Sequence, residues 1–233
     1  MVQEEVIPVV LVHGWGGSFQ QTWHAPGIDA LLEDVGRTVV GIDLLGHGTA
    51  DKPHTPEAYG EMGQWLLNTL SNESPVVDIV GFSLGALTVL DALVAAPHRF
   101  RKVVLAGIGD GVFDADAGSR SQRIVDALEG VGSTDDTFSQ MFVQYAHHPG
   151  NDPIALTAIM KRPSSRTMTR TELSSLPHEV LVVIGEKDFA APADSLAAAF
   201  PNGSLTVLKN TDHFATTESF AFIDALLGHL AHD

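Results

Sequence analysis

The chain contains no cysteine, which removes thiol nucleophiles, thiolate metal sites, iron–sulfur clusters and disulfides together. Basic residues are scarce: 13 Lys and Arg stand against 29 Asp and Glu, a formal charge of −16. A surface of that sign repels phosphate backbones and anionic headgroups, so neither nucleic acid nor membrane is expected as a partner. No segment approaches the ~20 apolar residues of a membrane span. The opening Met1-Val2-Gln3-Glu4-Glu5 is acidic and leads into only a short apolar run ending at Val12. That pattern does not suit a secretory leader, and a cytoplasmic location is expected.

What is present is a chain of 233 residues, 44% hydrophobic and 18% charged, long enough to bury a core without staples. Short runs rich in Val, Ile and Leu recur at residues 7–12, 37–42, 76–80, 102–106, 180–184 and 204–208. Nearly continuous apolar runs of this length suit strands covered on both faces, which means a parallel sheet. Helical patterns fall between them at 28–35, 57–70, 84–96, 192–200 and 217–230. This alternation predicts an α/β fold with a mostly parallel sheet of about six strands and helices on both faces.

One interval breaks the rhythm. Residues 107–179 carry no convincing strand and are polar and patchily helical. A structureless loop of that length is implausible in a compact domain, so a small helical lid is expected, inserted late in the chain at 110–175. The core is then 1–109 with 176–233. Within the lid, Phe138, Met141, Phe142 and Tyr145 form one stripe at i, i+3, i+4 and i+7. Such a stripe either glues the lid to the core or lines a substrate pocket, with Met141, Phe142 and Tyr145 as the candidates.

Gly81-Phe82-Ser83-Leu84-Gly85 matches G-x-S-x-G. The pattern alone is common, but here an apolar strand runs into Gly81 and an apolar helix leaves from Gly85. A serine on so sharp a turn is held in a strained backbone and pushed clear of the sheet. The backbone N–H of Leu84, in the first helical turn, then points toward that serine and can hold an oxyanion. Ser83 is the nucleophile candidate.

Taken with Val10-Leu11-Val12-His13-Gly14-Trp15-Gly16-Gly17 and Asp43-Leu44-Leu45-Gly46-His47-Gly48, the serine turn resembles the α/β-hydrolase superfamily. The similarity continues through Ile184-Gly185-Glu186-Lys187-Asp188 and Thr211-Asp212-His213-Phe214, so it spans nearly the whole chain in the expected order. The lidded, serine-esterase-like branch is the most similar. Dehalogenases and epoxide hydrolases of this fold carry Asp where Ser83 stands, which disfavours those activities.

The superfamily order of nucleophile, acid, base implies His213 as base, since it follows a late strand and precedes the last helix. His47 is the runner-up, unless it only tightens its own turn, and His13 is expected to buttress the loop carrying Trp15. The acid is expected at Asp188, with Asp110 at the end of the preceding strand as the alternative. The resemblance also implies the backbone N–H of Trp15 as second oxyanion donor beside Leu84. No His pair has H-E-x-x-H spacing, and the Gly-rich loop lacks G-x-x-x-x-G-K-[ST], so neither metal nor cofactor is expected.

Three departures from the superfamily pattern are visible. No strand pair precedes Ile7, Ala50 stands where Ser is usual, and Asp212 stands before His213 where Gly is common. The activity implied is hydrolysis of a small-molecule carboxylic ester through an acyl-enzyme. C–C bond, thioester or lactone hydrolysis or perhydrolysis on the same triad, or a small-molecule receptor on this fold, are the alternatives.

Overall fold

The computed structural model describes residues 7–114, 118–163 and 167–231. Residues 1–5, on which the expectation of no secretory leader rests, lie outside them. Among the described residues, six strands form one sheet: β1 (Val9–Val12), β2 (Val39–Ile42), β3 (Val77–Phe82), β4 (Phe100–Ala106), β5 (Glu179–Gly185) and β6 (Asn202–Leu208). Their spatial order is β2-β1-β3-β4-β5-β6, and every neighbouring pair is parallel. The mostly parallel sheet of about six strands expected from the apolar runs is what the chain forms.

Alternate side chains of each strand go to opposite faces, because the strand repeat is two residues. Val9 and Leu11 pack with α1 (Ile28–Asp34) and α9 (Phe220–Leu230) through Ile28, Leu32, Phe222 and Leu226. Val10 and Val12 face the other way, toward α2 (Met62–Thr69), α3 (Leu84–Ala95) and α8 (Asp194–Ala199). All four residues of β1 are fully buried, which is why the run carries no polar residue. The last apolar run behaves differently. β6 is an edge strand, largely exposed along its length, with Val207 51% exposed. A continuous apolar run there reflects strand propensity rather than burial on both faces.

Between β4 and β5 the described residues contain no strand. They contain α4 (Gly118–Leu128), α5 (Thr137–Ala146), α6 (Pro153–Met160) and α7 (Arg170–Ser174). Asp152 caps α6 by accepting from the N–H groups of Ile154 and Ala155, ahead of Pro153 in the first turn. Thr169 and Glu172 form a capping box on α7. Ala146, Leu156, Ile159 and Leu173 join the same core cluster as α2 and α3, so the insertion belongs to that face of the sheet. Among the described residues, no helix is long and apolar enough to cross a membrane.

Two features of the sheet set the scene for function. At its N-terminal edge, the fully buried Asp78 accepts from Arg37, Arg101 and the backbone N–H of Lys102. Arg37 also donates to the carbonyls of Leu230 and Ile7, tying the last helix to the segment that leads into the first strand. At the C-terminal edge, the chain leaves β1 toward β2 on one side and returns to β3 on the other. The loops after β1 and β3 diverge at this switch point and open a crevice, the usual ligand position in a sheet of this kind.

Candidate active site

The turn after β3 carries Ser83 at φ 52° and ψ −114°, a left-handed conformation that an L-residue adopts only under constraint. The constraint is close packing. A Cβ on Gly85 would stand 2.4 Å from the carbonyl oxygen of His13, so α3 leaves the turn against the end of β1. The Ser83 N–H is held by the Ala106 carbonyl at 2.8 Å. Its side chain therefore projects from a rigid frame at the C-terminal end of the sheet.

Three strands contribute to one line of hydrogen bonds. His213 Nε2 lies 2.9 Å from Ser83 Oγ, and His213 Nδ1 lies 2.9 Å from each carboxylate oxygen of Asp188. Asp188 follows β5 and His213 follows β6, and both are buried, 6% and 5% exposed. The Asp188 carboxylate also accepts the N–H of Ala190 at 2.8 Å, which fixes its direction. A carboxylate on Nδ1 leaves Nε2 free to take a proton from the serine hydroxyl, the arrangement nucleophilic catalysis requires.

The loop after β1 reaches the same point. A Cβ on Gly14 would stand 3.2 Å from the Cβ of Ser83, so the Gly14–Gly17 backbone passes beside the nucleophile. Leu84 opens α3, where the leading N–H groups have no carbonyl inside the helix to bond. The N–H groups of Trp15 and Leu84 thus belong to the two segments that flank Ser83. His13 holds the loop from below. Its Nδ1–H donates to the Gly14 carbonyl at 2.7 Å, and its Nε2 accepts the Leu44 N–H at 3.0 Å. Complete burial pushes its pKa down to about 4, against smaller raising effects from Gly14 and Asp43, so the ring is neutral at pH 7.

The other candidates have different surroundings. His47 hydrogen-bonds the Leu45 carbonyl in its own turn and packs edge-on to His13 at 5.0 Å, whereas the ring bonded to Ser83 Oγ is that of His213. Burial, reinforced by the neighbouring His13, pushes its pKa down to about 3. Asp110 accepts the N–H of Leu196 at 2.8 Å and so serves the first turn of α8. Phe142 is buried and Tyr145 half-buried, but Met141 is 44% exposed. On α5, Ser139, Phe142 and Ala146 are buried and Phe138 and Tyr145 half-buried, while Met141 is more exposed than any of them.

Aromatic rings that sequence patterning did not single out surround the base. Phe189, Phe82 and Phe214 lie 4.2, 5.0 and 5.6 Å from the His213 ring. Phe189 contacts Phe138 and Phe142, Phe142 contacts Trp15, and Tyr145 contacts Phe214. A signal existed for three of them: Phe82, Phe189 and Phe214 are the chain neighbours of Ser83, Asp188 and His213. A surface cavity of about 390 Å³ lies elsewhere, between α7 and α8, lined by Arg170, Thr171, Ser174, Ser195, Ala198 and Ala199. Among the described residues, no three His, Asp or Glu side chains converge as a metal site.

Comparison with known proteins agrees with this architecture. A family model described as alpha/beta hydrolase fold matches residues 7–148. A 2-hydroxymuconate semialdehyde hydrolase from Pseudomonas putida is 25% identical over 93% of this chain and 84% of its own length. Among solved structures, a 2-hydroxy-6-oxo-6-phenylhexa-2,4-dienoate hydrolase from Rhodococcus sp. strain RHA1 matches with a TM-score of 0.69. That match covers 97% of this chain and 91% of the other, at 23% identity. A marine microorganism esterase matches with a TM-score of 0.70, covering 97% and 96%, at 19% identity. At those identities the solved structures speak for the fold alone. With the family model matching more than half of its length, the chain is a member of the alpha/beta hydrolase fold family.

Proposed function

We propose that the protein is a serine hydrolase that cleaves small carboxylic esters through an acyl-enzyme. The observation that carries this reading is the unbroken line from Ser83 Oγ through His213 to Asp188, each step 2.9 Å, on a strained turn. Ser83 attacks the acyl carbonyl while His213 takes its proton through Nε2. Asp188 holds the ring in the tautomer that leaves Nε2 unprotonated and stabilises the imidazolium that forms. The N–H groups of Trp15 and Leu84 receive the oxyanion, a contribution worth ~10²–10³ in rate per donor. His213 then protonates the leaving alcohol, and water, activated by the same ring, releases the acid. Water is the only co-reactant.

Residues 110–175 act as a lid, and Phe142 and Tyr145 line the acyl pocket beneath it. The rings in contact with His213 and their neighbours are neutral and apolar. Together with the charge of −16, they favour a neutral ester over an anionic substrate, which such a surface repels. A second reading, hydrolysis of a C–C bond on the same triad, is favoured by likeness to the semialdehyde hydrolase of Pseudomonas putida.

One experiment separates the readings. Purified protein is offered p-nitrophenyl acetate and butyrate beside a 2-hydroxy-6-oxo-hexadienoate, each with the wild type and Ser83→Ala. Ester turnover at kcat near 1 s⁻¹ or above, lost in Ser83→Ala with phosphonate labelling at Ser83, supports the esterase. Faster cleavage of the dienoate assigns C–C hydrolysis instead. Turnover of neither substrate, with unlabelled Ser83, overturns both.

A further inference from the structure

The loop that passes beside Ser83 is gripped from the helical insertion as well as from the core. Asn151, in the turn joining α5 to α6, sits with its side-chain Nδ2 2.8 Å from the Gly16 carbonyl and 3.0 Å from the Tyr145 carbonyl. Both neighbours are acceptors, so both amide protons are used, and the orientation of the amide is forced. One residue earlier in the loop, the Trp15 indole N–H donates to the Leu156 carbonyl in α6 at 3.1 Å. The Tyr145 ring presses on Gly16, where a Cβ would meet it at 2.5 Å and φ is +73°. The same turn is tied to the core through Asp152, 2.9 Å from His54 Nε2.

These contacts bear on catalysis through the peptide planes. An oxyanion donor accelerates a reaction only when it is aimed before the charge develops. In a trans peptide the carbonyl of one residue and the N–H of the next point in opposite directions. The His13 bond to the Gly14 carbonyl therefore aims the Trp15 N–H from one side. Beyond Trp15 the chain passes through Gly16 and Gly17, where no side chain resists rotation of the peptide planes. The Gly16 carbonyl shares its peptide plane with the Gly17 N–H, which donates to the Gly14 carbonyl at 3.2 Å, so the Asn151 bond braces the Gly14 carbonyl that stands opposite the Trp15 N–H.

We propose that Asn151 is a positioning residue for the oxyanion hole, holding the Gly16 carbonyl so that the Trp15 N–H stays directed at the carbonyl attacked by Ser83. This rests on the acyl-transfer reading above. It makes the seating of the α5–α6 junction on the loop a condition for full activity, although Asn151 is not required to touch substrate.

The test compares wild type, Asn151→Ala and Asn151→Asp in ester turnover, thermal melting and inhibition by an alkyl trifluoromethyl ketone. Such a ketone adds the serine oxygen and places a tetrahedral oxyanion in the hole. Asn151→Ala is expected to lower kcat on the order of tenfold to a hundredfold, below the cost of deleting a donor outright. KM should stay within about twofold, and the ketone should weaken by the factor that kcat/KM loses. Asn151→Asp keeps the shape but sets a carboxylate against two carbonyls, so its loss should be the larger. Wild-type kcat in both variants overturns the proposal. So does a rise in KM at constant kcat, or a ketone affinity that does not follow kcat/KM. Should both variants fail to fold, Asn151→Gln keeps an amide but carries it one methylene away from its place against the Gly16 carbonyl. The same parallel loss is expected there, and wild-type kcat overturns the proposal. A wild type that turns over no ester and takes no phosphonate sinks the acyl-transfer reading itself, before any variant is compared.

Discussion

The carboxylate of Asp110 accepts the backbone N–H of Leu196 at 2.8 Å, 86 residues further along the chain. It thus satisfies one of the open donors at the start of α8. Asp188, one strand later, instead faces the Nδ1 of His213 with both oxygens. Asp188→Asn is expected to cut kcat by several orders of magnitude, since the same exchange in a protease triad costs ~10⁴. Asp110→Asn should leave kcat within a fewfold, and Asp110→Ala should cost about 1 kcal/mol of stability through the lost cap. Steady-state kinetics and urea unfolding on the three variants check this. A greater loss of kcat in Asp110→Asn would move the acid to β4.

The buried pair His13 and His47 predicts a stability that falls in mild acid. Both pKa values are lowered in the native state, to about 4 and about 3, while the unfolded chain protonates these rings near 6.5. The unfolded state therefore binds protons that the native state refuses. The contribution is complete above pH ~6.5 and is lost as the pH falls from there through the native values. Near pH 5 the two rings account for about two protons, or about 3 kcal/mol per pH unit. Urea unfolding between pH 6.5 and 5 measures that slope, and His47→Gln should lower it by about one proton. A slope unchanged by His47→Gln would show that the ring protonates in the native state.

Asp78 links Arg37, Arg101 and Lys102 at the far end of β3. Its side chain is fully buried, and Arg37 is 3% exposed. Asp78→Ala strands that guanidinium without its carboxylate, and breaking a buried pair in this way costs about 3–5 kcal/mol. Ser83 stands five residues away, roughly 16 Å along the strand. Folded enzyme at 25 °C should therefore keep its kcat while its denaturation midpoint drops. Loss of kcat at full folding would mean that the network reaches the site.

Phe142→Ala and Met141→Ala separate pocket from surface. Phe142 is buried between the rings of Trp15, Phe138 and Phe189, whereas Met141 is 44% exposed. Removing the Phe142 ring should cost stability and also shift preference between short and medium acyl chains by roughly 1–3 kcal/mol of apolar contact. Met141→Ala should change neither. Kinetics on esters of two to eight carbons with both variants give the answer, and an unchanged profile in Phe142→Ala assigns the ring to packing alone.

The order of strands and helices was legible because local patterns carry it: β-branched runs, helical periods and the glycines around Ser83. The same patterns placed Asp188 and His213 after late strands, as the resemblance implied. They did not reveal that β6 lies at an edge, because an apolar run does not say how many neighbours a strand has. They also did not show that Met141 is exposed where Phe142 is buried, since a stripe at i, i+3, i+4 and i+7 spans more arc than the α5 contact covers.

The amino-acid sequence by itself determined the fold class and the chemical types available at the crevice, because hydrophobic periodicity and backbone conformational preference are properties of short segments. Only the tertiary structure decided how those groups meet. His213 and Ser83 are 130 residues apart, and Asn151 and Gly16 are 135 apart. Contacts across such separations depend on sheet order and on the seating of the insertion, which come from the summed packing of the whole core.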